Sequence, residues 1–205
     1  MRPIRIIGAG GHGKVVAETA AACGYADIAF LDDAYPTRRE NGCWTIVGLS
    51  GAETDAALFC AIGNNTARAH LFETLRLENS PVLIHPAATL SPSARLGAGT
   101  LVVAGAVVNA DAQVGRGVIL NTGCSIDHDC ILNDFVHVSP GARLAGNVRV
   151  GARSWIGIGA VVREGVTIGE DVLVAAGAAV VEELPNGVRV GGVPARPLNI
   201  KDMTC

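Results

Sequence analysis

The chain has 205 residues, which is enough for one large or two small domains. Apolar residues make up 49% of it and aromatic residues 4%, and the formal net charge of -3 argues against a surface that binds nucleic acid or membrane. No apolar run approaches the length of a membrane span, and the first residues enter a strand pattern directly, so we expect a cytoplasmic protein without a signal peptide.

The first predicted elements are a strand, a glycine loop and a helix. A buried-strand run at residues 4–7 enters Gly8-x-Gly10-x-x-Gly13, and a helix is predicted from about 14 to 23. Glycines let the backbone approach a phosphate, and a helix N-terminus offers N–H groups and a positive dipole end. The motif alone indicates a dinucleotide, but this segment has room for only one of the two mononucleotide halves that a dinucleotide fold needs. We therefore favour a mononucleotide or nucleotide-sugar over a ligand-free glycine turn.

The rest of this region predicts a small Rossmann-like α/β domain. A second strand over residues 28–31 ends in Asp32 and Asp33, where an acid usually holds a ribose or base. The remaining predicted elements are a weak strand over 45–47, a stronger strand over 58–62, a helix from about 66 to 78 with Asn65 as its cap, and a strand over 81–84. We place the domain boundary near residue 80, with residues 1–80 in the α/β domain and 81–205 in the second.

A six-residue repeat follows. Every sixth residue from Ile84 to Val180 is Ile, Leu or Val, and the fourth residue after each is small or apolar almost throughout. This period predicts one short strand and one turn per hexad, stacked into a solenoid of five to six triangular coils. The residue directly after the apolar one is often Gly, Asn or Asp, so we expect the left-handed corner there. The six cysteines lack paired metal spacing, and Cys124 and Cys130 occupy small core positions, which fits a reducing compartment.

The most polar interruption of the solenoid is residues 121–130. His128 stands between Asp127 and Asp129 there. A carboxylate partner holds an imidazole in one tautomer and stabilises its cation, which suits a general base near neutral pH. A solvated surface histidine is the alternative. The acid–His–acid cluster together with a nucleotide-type domain favours catalysis for His128, whereas spacing alone says less about His137, half a coil further on.

Two features resemble the hexapeptide acyltransferases. The uninterrupted [LIV]-x-x-x-[small]-x pattern is similar to their left-handed parallel β-helix, and we take the left hand from this resemblance because periodicity gives no handedness. The segment at residues 188–197 resembles their [VI]-G-x-P-A-[KR] ending, which packs beside the adenine end of coenzyme A. A turn that caps the solenoid is the alternative for this segment, and both roles can hold together.

Several segments occur in one family in the same order as here. They are Gly8-Ala9-Gly10-Gly11-His12-Gly13-Lys14-Val15-Val16, Phe30-Leu31-Asp32-Asp33, Ala61-Ile62-Gly63-Asn64-Asn65, Ile84-His85-Pro86, Asn121-Thr122 with Asp127-His128-Asp129, and Phe135-x-His137-Val138-x-x-Gly141-Ala142. The chain is similar to the nucleotide-amino-sugar N-acetyltransferases that acetylate UDP-4-amino-4,6-dideoxy sugars on the way to bacillosamine-like sugars. Sialic-acid O-acetyltransferases are relatives in the same superfamily.

The resemblance implies a homotrimer whose active sites lie between neighbouring solenoids, with acetyl-CoA in the groove and no metal. It assigns the general base to His128, an orienting carboxylate to Asp129, and a position beside the base to Asn121. The implied nucleotide-sugar residues are Gly10, Gly11, His12, Gly13, Asp32, Asp33, Gly63 and Asn64. The implied coenzyme A contacts are His137, Gly146, Ile158, Ala176 and Pro194. Ala176 stands where a glycine can occur, and Asp129 is one methylene shorter than the Glu of some relatives.

Other functions stay open at this point. A zinc enzyme like the γ-type carbonic anhydrases would gather His85, His128 and His137, but half a coil separates the last two by more than a metal site allows within one chain. A non-catalytic nucleotide-sugar sensor would lack acetyl-CoA turnover. O-acetylation of sialic acid or a related sugar needs a base at the same place. A GDP-linked amino sugar is also open, although the Phe30-Leu31-Asp32-Asp33 and Gly63-Asn64-Asn65 segments favour UDP.

Overall fold

A computed structural model describes residues 2–198 of the chain. Its first part is a five-stranded sheet with two helices. In chain order its elements are β1 (Pro3–Ile7), α1 (Gly11–Ala22), β2 (Asp27–Leu31), β3 (Glu40–Asn41), β4 (Trp44–Gly48), β5 (Ala57–Cys60), α2 (Asn65–Thr74) and a 3-10 turn (Leu77–Asn79). The strand order is β3-β4-β2-β1-β5, and all neighbours are parallel except β3 and β4. This confirms the predicted Rossmann-like α/β arrangement.

Helix α2 differs from its prediction at both ends. Asn64, not Asn65, is the N-cap, because the Asn64 side chain accepts a hydrogen bond from the Ala67 N–H at 2.9 Å. Asn65 is instead the first helical residue, and its side chain is buried against the solenoid. The helix ends at Thr74, where the chain passes through the left-handed Arg76 into the 3-10 turn.

The second part is a parallel β-helix of two-residue strands. They are β6 (Leu83–Ile84), β7 (Thr89–Leu90), β8 (Arg95–Leu96), β9 (Leu101–Val102), β10 (Val107–Val108), β11 (Gln113–Val114), β12 (Ile119–Leu120), β13 (Ser125–Ile126), β14 (Ile131–Leu132), β15 (His137–Val138), β16 (Arg143–Leu144), β17 (Arg149–Val150), β18 (Trp155–Ile156), β19 (Val161–Val162), β20 (Thr167–Ile168), β21 (Leu173–Val174) and β22 (Ala179–Val180). After them, β23 (Arg189–Gly191) continues one face and pairs antiparallel with β24 (Arg196–Pro197).

These strands form three flat faces, as the six-residue period predicts. The first face contains β7, β10, β13, β16, β19 and β22, the second contains β8, β11, β14, β17 and β20, and the third contains β6, β9, β12, β15, β18, β21, β23 and β24. From Leu90 onward the apolar residue of each hexad points inward, so the solenoid core is a column of Ile, Leu and Val with small residues between them. Cys124 and Cys130 are fully buried in this column as free thiols, which confirms their packing role.

The left-handed corner lies elsewhere than predicted. From Leu96 to Val174, positive φ values occur three residues after the apolar residue of each hexad, for example at Gly105 (φ 72°) and Asp129 (φ 59°). The glycines directly after the apolar residues are required for a different reason. A Cβ on Gly97 would lie 2.6 Å from the Gly115 carbonyl carbon of the next coil, and one on Gly151 would overlap the Gly169 backbone. At these positions successive coils approach too closely for any side chain.

The α/β domain packs against the early coils of the third face. Leu83, Leu101 and Ile119, which point outward from β6, β9 and β12, belong to the same buried cluster as Ile6 and Phe30 of the first sheet. Further along, His137 and Trp155 continue this outward row on β15 and β18. The predicted boundary near residue 80 stays a prediction. Within residues 2–198, no helix is long and apolar enough to cross a membrane.

Candidate active site

His128 occupies a turn between the first and second faces. Its Nδ1 lies 2.8 Å from Asp129 Oδ2, and its backbone N–H donates to Asp127 Oδ1 at 2.8 Å. Asp127 is itself held by Asn109, whose Nδ2 donates to the same oxygen at 2.9 Å. The hydrogen bond to Asp129 first, and the charges of both carboxylates after it, raise the pKa of His128. With Nδ1 donating to Asp129, Nε2 of the half-exposed imidazole is left as the proton acceptor.

Gly146 lies one coil beyond His128 and against its ring. A Cβ at this position would lie 2.5 Å from His128 Cε1 and 2.6 Å from Nε2. The imidazole therefore occupies the space that a side chain at residue 146 would need. Of the five residues predicted to contact coenzyme A, Gly146 is the one that the structure places beside the predicted base.

A separate cavity of about 350 Å³ opens on the third face. Among its lining residues are Asn121, His137, Ser139, Trp155, Ile158 and Ala176. The His137 ring stacks on Trp155 with centroids 4.9 Å apart, and Trp155 Nε1 donates to Ser139 Oγ at 2.7 Å. The structure thus brings three predicted coenzyme A contacts, His137, Ile158 and Ala176, into one place. Trp155 and Ser139 were missed by the sequence reasoning because they follow no motif.

Asn121 lies in this cavity and not beside His128 within the chain. Its Nδ2 is 3.3 Å from His137 Nε2, and its Oδ1 accepts from the Thr122 N–H at 2.8 Å. Asn121 follows β12, which pairs with the strand of His137, so the register of the third face brings the two together. The expectation of Asn121 next to the base is not met in one chain.

His137 is buried and meets His12 from the first turn of α1. The two ring centroids are 6.2 Å apart, and only 6% of His137 is exposed. Burial, followed by the charge of Arg68, lowers the pKa of His12 to about 4, and burial, Arg68 and His12 together lower that of His137 to about 3. The backbone of Gly63 raises the pKa of His137, against these larger effects. His137 Nδ1 has no hydrogen-bond partner among the described residues. Both imidazoles are therefore neutral at physiological pH.

Arg68 is the residue that the sequence reasoning overlooked most clearly. It is 1% exposed, and burial lowers its pKa to about 10. Its guanidinium donates to the carbonyls of Gly117 (2.7 Å), Ile62 (2.9 Å), Gly63 (3.1 Å) and Phe135 (2.8 Å), and to Asn65 Oδ1 (2.8 Å). It makes no ion pair with any residue between 2 and 198. An arginine one turn after a predicted cap could have been singled out only if its face of the helix had been known.

The glycine loop separates into open and closed parts. A Cβ added to Gly10 or Gly11 would have no neighbour within 4 Å, so the backbone of both residues is accessible to a ligand. Gly13 instead packs against the Gly8 carbonyl, which holds α1 close to β1. Arg38 Nη1 donates to the Ala9 carbonyl at 2.7 Å, which braces the loop from the side.

The two predicted acids have different surroundings. Asp32 accepts from the Ala9 N–H at 2.6 Å and the Ala34 N–H at 2.9 Å, so its carboxylate braces the glycine loop. Asp33 is exposed, accepts one long hydrogen bond from the Ser50 N–H at 3.2 Å, and lines an open cleft of about 620 Å³. Tyr35, Pro36, Leu49, Gly51 and Ala52 line the same cleft. Asp33 is therefore the acid that is free to meet a ligand.

The remaining predicted residues lie at the edges of these features. Gly63 has open space around its α-carbon, while its carbonyl is held by Arg68. The Asn64 side chain is occupied by capping α2. Pro194 is exposed between β23 and β24, in the segment predicted to lie beside adenine. In residues 2–198 no three His, Cys, Asp or Glu side chains lie close enough together to hold a metal ion.

Each of the two parts of the fold matches a known protein family. Residues 3–75 match the family described as the PglD N-terminal domain, and residues 147–181 match the bacterial transferase hexapeptide family. The chain is 38% identical over 113 residues to UDP-N-acetylbacillosamine N-acetyltransferase of Bacillus subtilis, of which the match covers 52%. It is 29% identical over 211 residues to GDP-perosamine N-acetyltransferase of Escherichia coli O157:H7, covering 94% of this chain and 95% of that one.

Solved structures extend the likeness over the whole chain. The acetyltransferase domain of PglB from Neisseria gonorrhoeae, in complex with acetyl coenzyme A, is 46% identical with a TM-score of 0.91, covering 96% of this chain and 99% of that one. The chain belongs to the hexapeptide-repeat nucleotide-amino-sugar N-acetyltransferases. Another member of this acyltransferase family, PerB from Caulobacter crescentus in complex with CoA and GDP-perosamine, is 42% identical with a TM-score of 0.90, covering 97% and 98% of the two chains.

Proposed function

We propose that this acetyltransferase moves the acetyl group of acetyl-CoA to the 4-amino group of a UDP-linked 4-amino-4,6-dideoxy sugar. The observation that carries the proposal is the His128–Asp129 pair, in which one carboxylate holds Nδ1 at 2.8 Å and leaves Nε2 as the proton acceptor. Support also comes from relatives that act on nucleotide-linked amino sugars and from solved neighbours that contain acetyl-CoA or CoA.

His128 would act as the general base. As the amine nitrogen forms its bond to the acetyl carbonyl carbon, Nε2 takes the proton that the nitrogen loses. The imidazolium formed is stabilised by the hydrogen bond to Asp129 and by the charge of Asp127. When the carbon–sulfur bond breaks, the same proton passes to the departing thiolate. A backbone N–H donating to the developing oxyanion would supply the remaining stabilisation.

The nucleotide-sugar would lie across the α/β domain. Gly10 and Gly11 offer open backbone at the N-terminus of α1, where a diphosphate is favoured by N–H groups and the helix dipole. Asp33, with its free carboxylate edge and adjoining cleft, is suited to hydroxyls or N–H groups of the nucleoside. His12 and Gly63 then lie at the sugar end, next to the solenoid. Asp32 acts indirectly, because it shapes the loop.

Acetyl-CoA would lie along the third-face cavity. Its walls are mostly apolar, with Ile158 57% exposed and Trp155 beside it, which suits the pantetheine arm. His137 and Asn121 supply the polar atoms at its inner end, and Pro194 lies in the segment beyond the last coil. Gly146 would make room for both the thioester and the His128 ring.

A homotrimer would unite these parts. His128 is absent from the lining of the cavity that contains His137, because it lies on the turn between the first and second faces whereas His137 lies on the third. A neighbouring solenoid packed against this edge could bring a second His128 to the cavity, and cyclic symmetry would repeat the shared groove three times. Sedimentation velocity of the purified protein tests the trimer directly.

Mixing inactive variants tests whether the groove is shared. His128→Ala and His137→Ala chains, unfolded together and refolded at equal amounts, should regain about a quarter of the wild-type activity, because that share of grooves draws both intact histidines from different chains. The two homotrimers mixed without unfolding serve as the control. Mixed trimers without regained activity would show that both histidines act from one chain.

The acceptor is tested by a screen of UDP- and GDP-linked 4-amino sugars with acetyl-CoA, following thiol release and product mass. We expect the UDP sugars to give the higher kcat/KM. Asp33→Ala should raise KM for the nucleotide-sugar with little change in kcat, since it removes binding away from the acetyl group. Asp55→Ala, an exposed acid of the same domain, is the control. An increase in KM for acetyl-CoA instead would contradict this placement.

A GDP-linked amino sugar is the second candidate. The observation that favours it is the likeness to PerB, which was solved with GDP-perosamine and covers nearly the whole chain. The same screen decides between the two nucleotides. A sugar hydroxyl as acceptor would be recognised by an ester product that alkaline hydroxylamine cleaves, whereas the amide resists it.

A further inference from the structure

Side chains of helix α2 donate hydrogen bonds to backbone carbonyls along one edge of the solenoid. Arg68 donates to the Gly117 and Phe135 carbonyls, and Asn65 Nδ2 donates to the Arg153 carbonyl at 2.9 Å. These three acceptors are left-handed corner residues of successive coils, with φ values of 59°, 60° and 58°. Two of them are not glycine, and a left-handed non-glycine residue costs about 1–2 kcal/mol. The contact is therefore built from strained corners that the helix helps to hold.

A buried guanidinium without a carboxylate is an expensive way to join two domains. Arg68 has five acceptors, yet all of them are neutral. An uncompensated buried charge is destabilising unless hydrogen bonds replace its hydration, and apolar residues of similar size often join surfaces as well. The charge lies between the proposed nucleotide-sugar site and the proposed acetyl-CoA site, which suggests why an arginine is used.

Resting on the proposed function, we propose that Arg68 is a positioning residue for acetyl transfer, which fixes the loop of Gly63 to the turn that leads into His137. Its Nη1 holds the Ile62 and Gly63 carbonyls on the nucleotide-sugar side. Its Nη2 holds the Phe135 carbonyl, two residues before His137, on the acetyl-CoA side. One planar group thus sets the distance between the sugar amine and the thioester.

The charge of Arg68 has a second effect on the same place. The titratable groups that face one another here are His12 from α1, Cys60 from β5, Arg68 from α2 and His137 from β15. No carboxylate pairs with Arg68 within the described part of the chain. Its positive charge therefore disfavours protonation of both imidazoles, and it equally disfavours an ammonium group near them. A sugar amine bound beside them is favoured in its neutral, nucleophilic form.

Three variants separate these effects. Arg68→Gln removes the charge and part of the hydrogen bonding, whereas Arg68→Lys retains the charge but loses the planar fork. Arg116→Gln is the matched control, because Arg116 also lies at this domain contact, over the Phe72 and Phe135 rings, but is more exposed and paired with Asp134. The measurements are kcat, both KM values, thermal unfolding, and NMR titration of the imidazoles in the free protein.

We expect Arg68→Gln to lower kcat by about 10–100-fold with KM for acetyl-CoA changed by less than about twofold. The pKa values of His12 and His137 should rise by about one unit. Arg68→Lys should lower kcat while the imidazole titrations stay as in the wild type, and Arg116→Gln should change neither.

Several results would overturn the proposal. A folded Arg68→Gln with unchanged kcat or unchanged imidazole titrations is one, and an equal loss of kcat in Arg116→Gln is another, since it would indicate a general effect of the domain contact. If Arg68→Gln does not fold, a wild-type kcat in Arg68→Lys still contradicts it. If the wild type acetylates no nucleotide-sugar, the proposed function fails, while the imidazole titrations still report on the role of Arg68.

Discussion

His128 and His137 belong to one solenoid, yet their surroundings are opposite. The His128 side chain is 53% exposed and hydrogen-bonded to a carboxylate, which raises its pKa. His137 is 6% exposed and stacked on Trp155, and its burial, followed by the charge of Arg68, lowers its pKa to about 3. The first site favours the cation and the second excludes it.

This contrast separates two duties that the residue type alone does not separate. A general base must become a cation during the reaction, so it needs a carboxylate and solvent nearby, as His128 has. A neutral imidazole can donate from one nitrogen and accept at the other without taking the proton, which suits a residue that orients a ligand. Pairs of titratable groups whose environments move their pKa values apart are a common sign of divided roles.

Removing the base should give the largest effect. We expect His128→Ala to lower kcat by about 10²–10⁴-fold while the fold and acetyl-CoA binding persist, since this is the usual contribution of a general base. Steady-state kinetics and calorimetric acetyl-CoA binding check it. His70→Ala, an exposed histidine on α2, is the control. Near-wild-type turnover by a well-folded His128→Ala protein would refute the assignment.

Displacing the base without removing it should give a smaller loss. In Gly146→Ala the new Cβ would lie 2.5 Å from His128 Cε1, and the exposed ring can move aside, so kcat should fall about tenfold with little change in Tm. Gly151→Ala is the matched contrast, because its Cβ meets the Gly169 backbone, which cannot move aside. It should lower the free energy of unfolding by about 1–3 kcal/mol. Equal effects of both substitutions on kcat would contradict this separation.

The pH profile should respond to the carboxylate of His128. Activity requires the neutral imidazole, so the acidic limb of kcat/KM lies at the raised pKa of His128. Asp129→Asn removes the main cause of that increase, and the limb should move to lower pH. Asp127→Asn should move it less, because the Asp127 carboxylate bonds to the backbone N–H and not to the ring. A limb that stays in place in Asp129→Asn would show that another group controls it.

Stability in acid should respond to the buried histidine. The pKa of His137 is lowered from 6.5 to about 3, so below pH 6.5 the unfolded chain binds a proton that the folded chain does not. Stability contributed by the neutral ring is therefore present above pH 6.5 and is lost as pH falls toward 3. His137→Gln should show a smaller decrease in Tm between pH 7 and pH 4 than the wild type, with His70→Gln as the control. Parallel curves for the wild type and His137→Gln would contradict this.

Most of the solenoid could be predicted because its core admits few residue types. Each coil repeats the same narrow cross-section, so Ile, Leu or Val recurs every sixth residue and the strands follow from that pattern alone. The corner position could not be predicted in the same way. Phe135 and Arg153 take left-handed φ values although their residue types disfavour them, because the corner recurs at this position of the hexad whatever residue occupies it.

The candidate site was predictable where chemistry is local in sequence. His128 and its two flanking acids are consecutive, so the linear sequence alone displays their cluster. The partners of His137 lie just after β12, in β18 and in α1, which the sequence separates widely. Two of the Arg68 acceptors, the Gly117 and Phe135 carbonyls, belong to the solenoid, far from Arg68 in the sequence. Such groupings depend on register and packing, and no single stretch of the chain records them.

The eighteen-residue spacing of stacked positions, as between Val107 and Ser125, limits how this chain can change length. Six residues inserted within the solenoid would turn everything beyond them to the next face. Eighteen inserted residues would restore the faces but shift every later coil by about 4.8 Å along the solenoid axis. A corner residue beyond the insertion would then be out of reach of its partner on α2. Arg68 and Asn65 therefore fix the register between α2 and the coils from Gly117 to Arg153. Whole coils added beyond Arg153 would leave these hydrogen bonds in place, whereas a coil added between Gly117 and Arg153 would break them.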